Sequence, residues 1–282
     1  MSKKVLVTGA SGQLGTDVVS TLAEAGFDVQ GFGHAELDIT NMNQVEHVLG
    51  EVRPDIVIHS AAYTKVDQAE TDVEAAYAVN AIGTRNIAVV SGAIGAKLVY
   101  ISTDYVFNGE EEQPYTEFDQ PSPLGVYGKS KYAGEAFVRD FHSAFFILRT
   151  SWVFGAHGGN FVKTMLKLAD TQPELKVVDD QRGCPTYTVD LAGFIRAVIQ
   201  TSNYGTYHVS NSGNCSWYEF AKAIFEQSGK TVKVVPVTTK EFPRPAPRPK
   251  NSVFDHMAIR LNGFEDLPDW RHALGRFLKE LN

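Results

Sequence analysis

Tyr127 and Lys131, in the stretch VYGKSKYAGE (126–135), stand at positions i and i+4, which on a helix puts a phenol and an ammonium on one face. Such a pair can move a proton. A nearby ammonium stabilises a phenolate, so a tyrosine whose ordinary pKa is about 10 is drawn toward the working pH as a general acid. The acceptor would be an oxygen gaining negative charge, as a carbonyl oxygen does when hydride reaches its carbon. Upstream, the apolar run KLVYIST is followed by Asp104, so Ser102, Thr103 and Asp104 come together at its carboxyl end. The Thr103 hydroxyl is suited to hydrogen-bond the same oxygen, and Asp104 to hold a substrate hydroxyl. Spacing alone decides little, because Tyr218 and Lys222 in WYEFAK repeat it. The first pair is preferred because a glycine loop and a hydroxyl-bearing strand precede it. The second has neither and reads as an ordinary helix surface.

The elements that must position these groups follow from hydrophobic periodicity. Short apolar runs lie at 4–9, 27–33, 54–62, 96–103 and 145–155, and amphipathic helical patterns fill 13–26, 41–52, 68–94 and 127–142 between them. Runs that do not alternate belong to strands covered on both faces. The fold class is therefore α/β: a Rossmann-like, doubly wound parallel sheet. After about residue 150 the rhythm loosens into helices near 159–171, 188–201, 216–229 and 268–281, with strands at LKVVDD and VKVVPV. The segment EFPRPAPRPKN (241–251) carries too many prolines for regular structure. The expectation is a dinucleotide-binding domain over 1–150, joined by parts of 185–213, and a smaller C-terminal α/β substrate domain over 151–282. Ligands of such sheets lie outside the carboxyl ends of the strands, in the crevice between the two.

The first strand runs into TGASGQLG, placing Gly9, Gly12 and Gly15 between a strand and a helix. Glycine permits a tight turn and close approach to a pyrophosphate, and the helix N-terminus offers free N–H groups to it. An acid at the tip of the second strand would mark NAD. That strand ends GFGHAELD, with Gly33 and His34 at the expected tip and Glu36 and Asp38 further on. No arginine stands there for a 2′-phosphate, so the cofactor is NADPH or NADH, with the preference open.

Composition narrows the partners. The formal net charge is −7, with 43% hydrophobic and 21% charged residues, which suits a globular chain with a small-molecule site and argues against a nucleic-acid-binding face. No apolar stretch approaches the roughly 20 residues of a membrane helix, and the start of the chain has no signal-peptide core. Two cysteines, Cys184 and Cys215, form neither a disulfide framework nor a zinc pattern. The expected setting is the cytoplasm, with no nucleic-acid or membrane partner, no metal-site residues assigned and magnesium dependence open, and a monomer or a homodimer.

In order and spacing, VTGASGQLG, LDIT, PDIVIHSAAYTKVDQAE, LVYISTDYVFNG, YGKSKYAGE, LRTSWVFG and RPKNSVF resemble the dTDP-4-dehydrorhamnose reductases, extended members of the short-chain dehydrogenase/reductase superfamily. The similarity runs over about residues 4–281. It implies reduction of the 4-keto group of dTDP-4-dehydro-L-rhamnose to dTDP-L-rhamnose, for surface polysaccharide. It also implies cofactor contacts from Gly12, Gln13, Leu14, Asp38, Ile39, Ala61, Ala62, Tyr63, Tyr127 and Lys131, with Lys131 on the nicotinamide ribose. Substrate contacts would come from Val66, Thr103, Asp104, Tyr127 and Trp152, and Asn80 would support the site. Arg244, Arg248 and Lys250 give the proline loop its positive charge. Arginine suits a diphosphate because its fork donates paired hydrogen bonds, and Arg248 is the candidate. Two alternatives share these motifs: a nucleotide-sugar dehydratase or epimerase, and a cofactor-binding regulatory subunit like that of methionine adenosyltransferase. Tyr105 stands where dehydratases carry Glu, which favours simple reduction.

Overall fold

A computed structural model describes residues 2–281. Its strands of four or more residues are β1 (Lys4–Thr8), β2 (Asp28–Phe32), β3 (Ile56–His59), β4 (Lys97–Thr103), β5 (Phe145–Thr150), β6 (Glu174–Val178), β7 (Gly205–His208) and β8 (Lys233–Val237). Six of them form one parallel sheet in the order β7-β5-β4-β3-β1-β2. The chain reverses its direction of travel across the sheet at β1, so the β1/β3 gap is the switch point at which open sheets bind ligands.

Residues that alternate along β1 explain the double covering. Val5 and Val7 pack in a cluster with Val18 and Leu22 of α1 (Gln13–Glu24) and with Leu191 and Ile195 of α6 (Thr188–Val198). Leu6 joins the opposite cluster, with Val45 and Leu49 of α2 (Met42–Val52), Ile87 of α3 (Thr84–Ala93) and Val138 of α4 (Val126–Phe141). The sheet therefore buries both faces. Among the described residues no helix is long and apolar enough to cross a membrane.

Two expectations change. The span 68–94 is not one helix: turns at Val66–Ala69 and Val73–Tyr77 lead into a π-helical segment, Ala78–Gly83, before α3 begins. Widened turns of this kind re-aim side chains, often beside functional sites, and this one carries Asn80. The strand β7 was not separately legible, since four residues, GTYH, carry little periodicity. It pairs with β5, a partner about sixty residues earlier in the chain, so the segment 185–213 supplies both a helix and an edge strand to the first sheet.

The second layer has its own core. The helices α5 (Phe161–Ala169), α7 (Trp217–Ser228) and α8 (Trp270–Glu280) pack Val162, Phe220, Ile224, Trp270 and Phe277 together with Phe154. Beside them β6 pairs in parallel with β8. The helix α7 starts at a capping box, in which Ser216 and Glu219 satisfy each other's backbone N–H.

What positions α4, the helix of Tyr127 and Lys131, is glycine. A Cβ on Gly134 of α4 would lie 2.4 Å from the Asn80 carbonyl oxygen and 2.5 Å from the Tyr100 hydroxyl, and one on Gly128 would lie 2.1 Å from the Tyr105 carbonyl oxygen. These contacts press α4 onto β4 and the π-helical turn more closely than any side chain would allow. Gly134→Ala is expected to lower stability by about 1–3 kcal/mol, seen as a lower urea midpoint at unchanged slope. An unchanged midpoint would mean that the helix can step back freely.

Candidate active site

The loop after β1 separates its three glycines by physical role. Gly9 has φ +66°, and a Cβ there would lie 2.7 Å from the Ala61 backbone nitrogen. A Cβ on Gly15 would lie 2.1 Å from the Gly9 carbonyl oxygen. Both positions need glycine for internal packing. Gly12 meets only the Gly9 carbonyl oxygen, at 3.1 Å, caps α1 without a side chain, and precedes a first turn lacking acids. Its N-terminal N–H groups face no side-chain acceptor, the condition a pyrophosphate needs. The residues present therefore fit a dinucleotide.

The flanking positions are sorted by the fold. Leu14 and Ile39 are core side chains, so only their backbones can face a ligand. A Cβ on Gly83 would strike Ile39 Cδ1 at 2.7 Å. Asp38 accepts the Thr40 backbone N–H at 3.0 Å and its hydroxyl at 2.7 Å, bonds that hold its carboxyl below the usual range. Ala61, Ala62 and Tyr63 line the exit of β3 and are half-buried. Asn80 fixes that exit: its Oδ1 accepts the Tyr63 N–H at 2.8 Å, while its Nδ2 donates to the Tyr63 carbonyl at 3.1 Å and to Ser130 Oγ at 3.0 Å. Gln13 reaches the second layer, where its Nε2 donates to the Val153 carbonyl at 3.2 Å and its Oε1 accepts from Asn160 at 2.8 Å.

At the strand tip the structure revises the reading of β2. A turn returns Glu36, so that its Oε2 accepts the Gly33 N–H at 2.7 Å. A carboxylate does occupy the tip, supplied from three residues further along.

The residues expected to transfer a proton come together from β4 and α4. Thr103 lies beside the Tyr127 hydroxyl and acts to lower its pKa, the Tyr105 ring packs edge-on to Tyr127 with centroids 5.5 Å apart, and Thr103 Oγ1 donates to Asp104 Oδ1 at 3.0 Å. The expectation that the Lys131 ammonium lowers Tyr127 does not hold in this arrangement. Lys131 Nζ donates to the Ile101 carbonyl at 2.6 Å and lies 4.1 Å above the centre of the Tyr100 ring. Burial dominates instead. It pushes Tyr127 up to about 12 and Lys131 down to about 7, with Glu135 opposing the latter shift. Burial also lifts Asp104 to about 6, against Thr103 and the nearby Ser252, while its Oδ2 is buried with no hydrogen-bond partner among the described residues.

Ser102 does not face the crevice. Its hydroxyl donates to Glu135 Oε1 at 2.6 Å, and Glu135 is gripped by Arg149 through Nε at 2.9 Å and a second nitrogen at 2.8 Å, with Arg139 at 2.7 Å. Sequence reasoning passed over Glu135 and Arg149. Two signals were available: Glu135 continues the i, i+4 row from Lys131, and Arg149 interrupts an apolar strand. The decoy pair stays outside, with Lys222 exposed on α7 over its own Tyr218 ring.

From the second layer, Trp152 has φ +48°, a strained conformation for a bulky residue. It is held by face-to-face stacking on Trp217, 3.5 Å between centroids, and by Gly183, where a Cβ would lie 2.5 Å from the indole. Val66 opens the short helix whose next residue, Asp67, organises the proline loop. Asp67 Oδ1 accepts from Arg248 at 2.5 Å and from the Ala246 N–H at 3.2 Å, with Arg244 4.0 Å from Oδ2. Arg248 also lies near Tyr105. Lys250 is exposed and outside this cluster. Both cysteines are free and buried, and burial raises the Cys184 thiol to about 11.

Comparison with known proteins places this geometry in context. The family model of the RmlD substrate binding domain matches residues 3–282. The spore coat polysaccharide biosynthesis protein SpsK of Bacillus subtilis is 50% identical, covering 98% of this chain and 97% of its own. A dTDP-4-dehydrorhamnose reductase of Aggregatibacter actinomycetemcomitans is 40% identical, over 96% and 97%. The crystal structure of dTDP-4-dehydrorhamnose reductase from Bacillus anthracis in complex with NADP superposes with a TM-score of 0.98 at 54% identity, over 99% of this chain and all of that one.

Asp104 yields a pH test. Its folded pKa of about 6 lies above the ordinary carboxyl value, so ionising it opposes folding, and stability is lost as pH rises from about 4 through 6. Asp104→Asn is expected to lack this loss and to gain on the native chain by about 2–3 kcal/mol between pH 4 and pH 8. Parallel stability–pH curves for the two would show that Asp104 is not the buried acid described.

Proposed function

The chain belongs to the RmlD substrate binding domain family, and from that membership we propose that it reduces the C4 ketone of dTDP-4-dehydro-L-rhamnose to dTDP-L-rhamnose with NADPH or NADH. It is an NAD(P)H-dependent oxidoreductase. The observation that carries the reading is the placement of Thr103, at the carboxyl end of β4, beside Tyr127 of α4, with Lys131 one turn along the same helix. Cofactor sites on 1–150 and parts of 185–213, and sugar-nucleotide contacts mainly from 151–282, fit this division of labour, and the cytoplasm is where reduced nicotinamide is supplied.

The nicotinamide, when bound, supplies the hydride that the C4 carbon receives. Everything else falls to the chain. The glycine loop takes the pyrophosphate at Gly12, Gln13 and Leu14, while Asp38 and the Ala61–Tyr63 edge face the rest of the dinucleotide. The Tyr127 hydroxyl gives its proton to the C4 oxygen as charge builds there, and Thr103 donates a hydrogen bond to the same oxygen. A phenol as weakly acidic as Tyr127 gives up that proton only with a cation at hand. Lys131, drawn from the Ile101 carbonyl to the ribose, brings one. Asp104 and Trp152 orient the sugar and Val66 borders it. Arg248 commits one terminal nitrogen to Asp67 and to the Ala246 carbonyl, which supports the rest of its fork as a diphosphate ligand.

Incubation with dTDP-4-dehydrorhamnose made in situ, with nicotinamide absorbance followed and the sugar identified, tests the reaction. Stoichiometric oxidation with dTDP-L-rhamnose formed is the expected outcome. Binding of cofactor without its consumption would turn attention to a regulatory subunit. Tyr127→Phe should reduce turnover by on the order of a hundredfold with cofactor binding intact, whereas Tyr218→Phe should match the native chain. A comparable loss in both would mean the wrong pair was chosen. Arg248→Ala is expected to raise KM for the sugar nucleotide more than KM for the cofactor, and equal rises would remove Arg248 from the diphosphate.

A further inference from the structure

Lys131 is buried, and among the described residues no carboxylate pairs with its ammonium. Glu135, one turn along the same helix, is taken up by Arg149, Arg139 and Ser102. The contacts of Lys131 lie on β4 instead: Nζ donates to the Ile101 carbonyl at 2.6 Å and stands 4.1 Å above the centre of the Tyr100 ring. A buried ammonium without a counter-ion is unfavourable unless other groups stabilise its charge. One carbonyl dipole and one aromatic face perform that task here. The ring has a fixed place. It is fully buried and stacks on His59 of β3, with centroids 5.6 Å apart. His59 is pinned in turn, one ring nitrogen 2.8 Å from Thr8 Oγ1 on β1 and the other 3.1 Å from Thr84 Oγ1 on α3. The Tyr100 hydroxyl lies 3.2 Å from the Lys131 carbonyl oxygen and 3.4 Å from that of Asn80, and donates to them. Burial, and then the Lys131 charge, hold His59 neutral, down at about 3. Imidazole, phenol ring and ammonium therefore form a stack with a single positive charge, at the end that faces the chemistry.

We propose that the face of the Tyr100 ring is the seat of the Lys131 ammonium during the reaction, which makes Tyr100 a positioning residue acting through Lys131. The proposal rests on the reductase reading above and adds to it the group that keeps its cation in place. A ring face attracts a cation over a broad area, whereas a carbonyl oxygen does so along its lone pairs. Lys131 can thus exchange the Ile101 carbonyl for a ribose hydroxyl and stay over Tyr100 throughout. An aliphatic side chain at this position would leave the ammonium with the carbonyl alone. The other titratable groups packed around Lys131 do not stand in for the ring. His59 of β3 is neutral, Glu135 and Arg139 of α4 are bound to each other and to Arg149 of β5, Asp104 beyond β4 accepts from Thr103, and Tyr127 keeps its proton up to about 12.

The pH dependence of kcat/KM for dTDP-4-dehydrorhamnose at saturating NADPH, followed on either side of neutrality, tests this. Reduction needs Lys131 charged, so activity falls as pH rises through the Lys131 pKa. Loss of the ring weakens the charged form, lowers that pKa and moves the fall to lower pH. Tyr100→Leu is expected to move it by about one unit, a roughly tenfold loss of kcat/KM on the alkaline side. Tyr100→Phe keeps the ring and should leave the fall where it stands. Increasingly fluorinated phenylalanines at position 100, which drain the ring face with little change of shape, should move it stepwise, and they decide the matter if Tyr100→Leu does not fold. Asp104 also titrates near neutrality, at about 6, but only a fall that follows fluorination belongs to the cation on the ring. A merely structural Tyr100 would lower activity by the same factor at every pH. That result, or fluorination without effect, overturns the proposal and leaves the reductase reading intact. Failure of the native chain to oxidise NADPH with this sugar would overturn that reading and the proposal together.

Discussion

The buried carboxylate of Glu135 is the contact on which the rest of the site depends. It lies on α4 one turn beyond Lys131, is fully enclosed, and accepts from Arg149 on β5, Arg139 on its own helix and Ser102 on β4. A charge in that position is tolerated only because the two guanidiniums and the hydroxyl satisfy it, and removing either member of the buried Glu135–Arg149 pair would cost about 3–5 kcal/mol. The same network fixes the helix that bears Tyr127 and Lys131 relative to the strand that bears Thr103. Hydrophobic packing holds α4 against the sheet. The ion network decides its register.

Burial then sets the protonation states. Desolvation favours the neutral form of each group, and it acts here on Tyr127, Lys131 and Asp104 together. An acid, a base and a carboxyl are thereby all held closer to neutrality than water would keep them. The strained backbone at Trp152, held by the Trp217 stack and by Gly183, is a second instance of the surroundings imposing what the residue alone disfavours.

The two layers meet through a few specific bonds. Gln13, at the start of α1, exchanges hydrogen bonds with Val153 and Asn160 of the second layer, and Asn160 also caps α5 through the Lys163 N–H. A residue expected from resemblance to touch the cofactor is thus also the tie between the glycine loop and the substrate side. Asp67 performs the corresponding task opposite, tethering the proline loop through Arg248 and the Ala246 N–H.

Local pattern was enough for five of the sheet's six strands, most of its helices and the glycine loop. Each rests on short-range periodicity or on a motif within a single strand–turn–helix unit. It was not enough for β7, whose pairing spans about sixty residues, for the broken helix around Asn80, or for the return of Glu36 to Gly33. Nor could it show where Lys131 points, since i, i+4 spacing puts side chains on one face without saying what lies beneath. By itself the sequence determined which residue types line the carboxyl edge of the sheet and what chemistry they can do. Only the tertiary structure decided how each is solvated and which partner holds it, because burial and hydrogen bonding across distant segments arise from the packing of the whole chain and from no stretch of it alone.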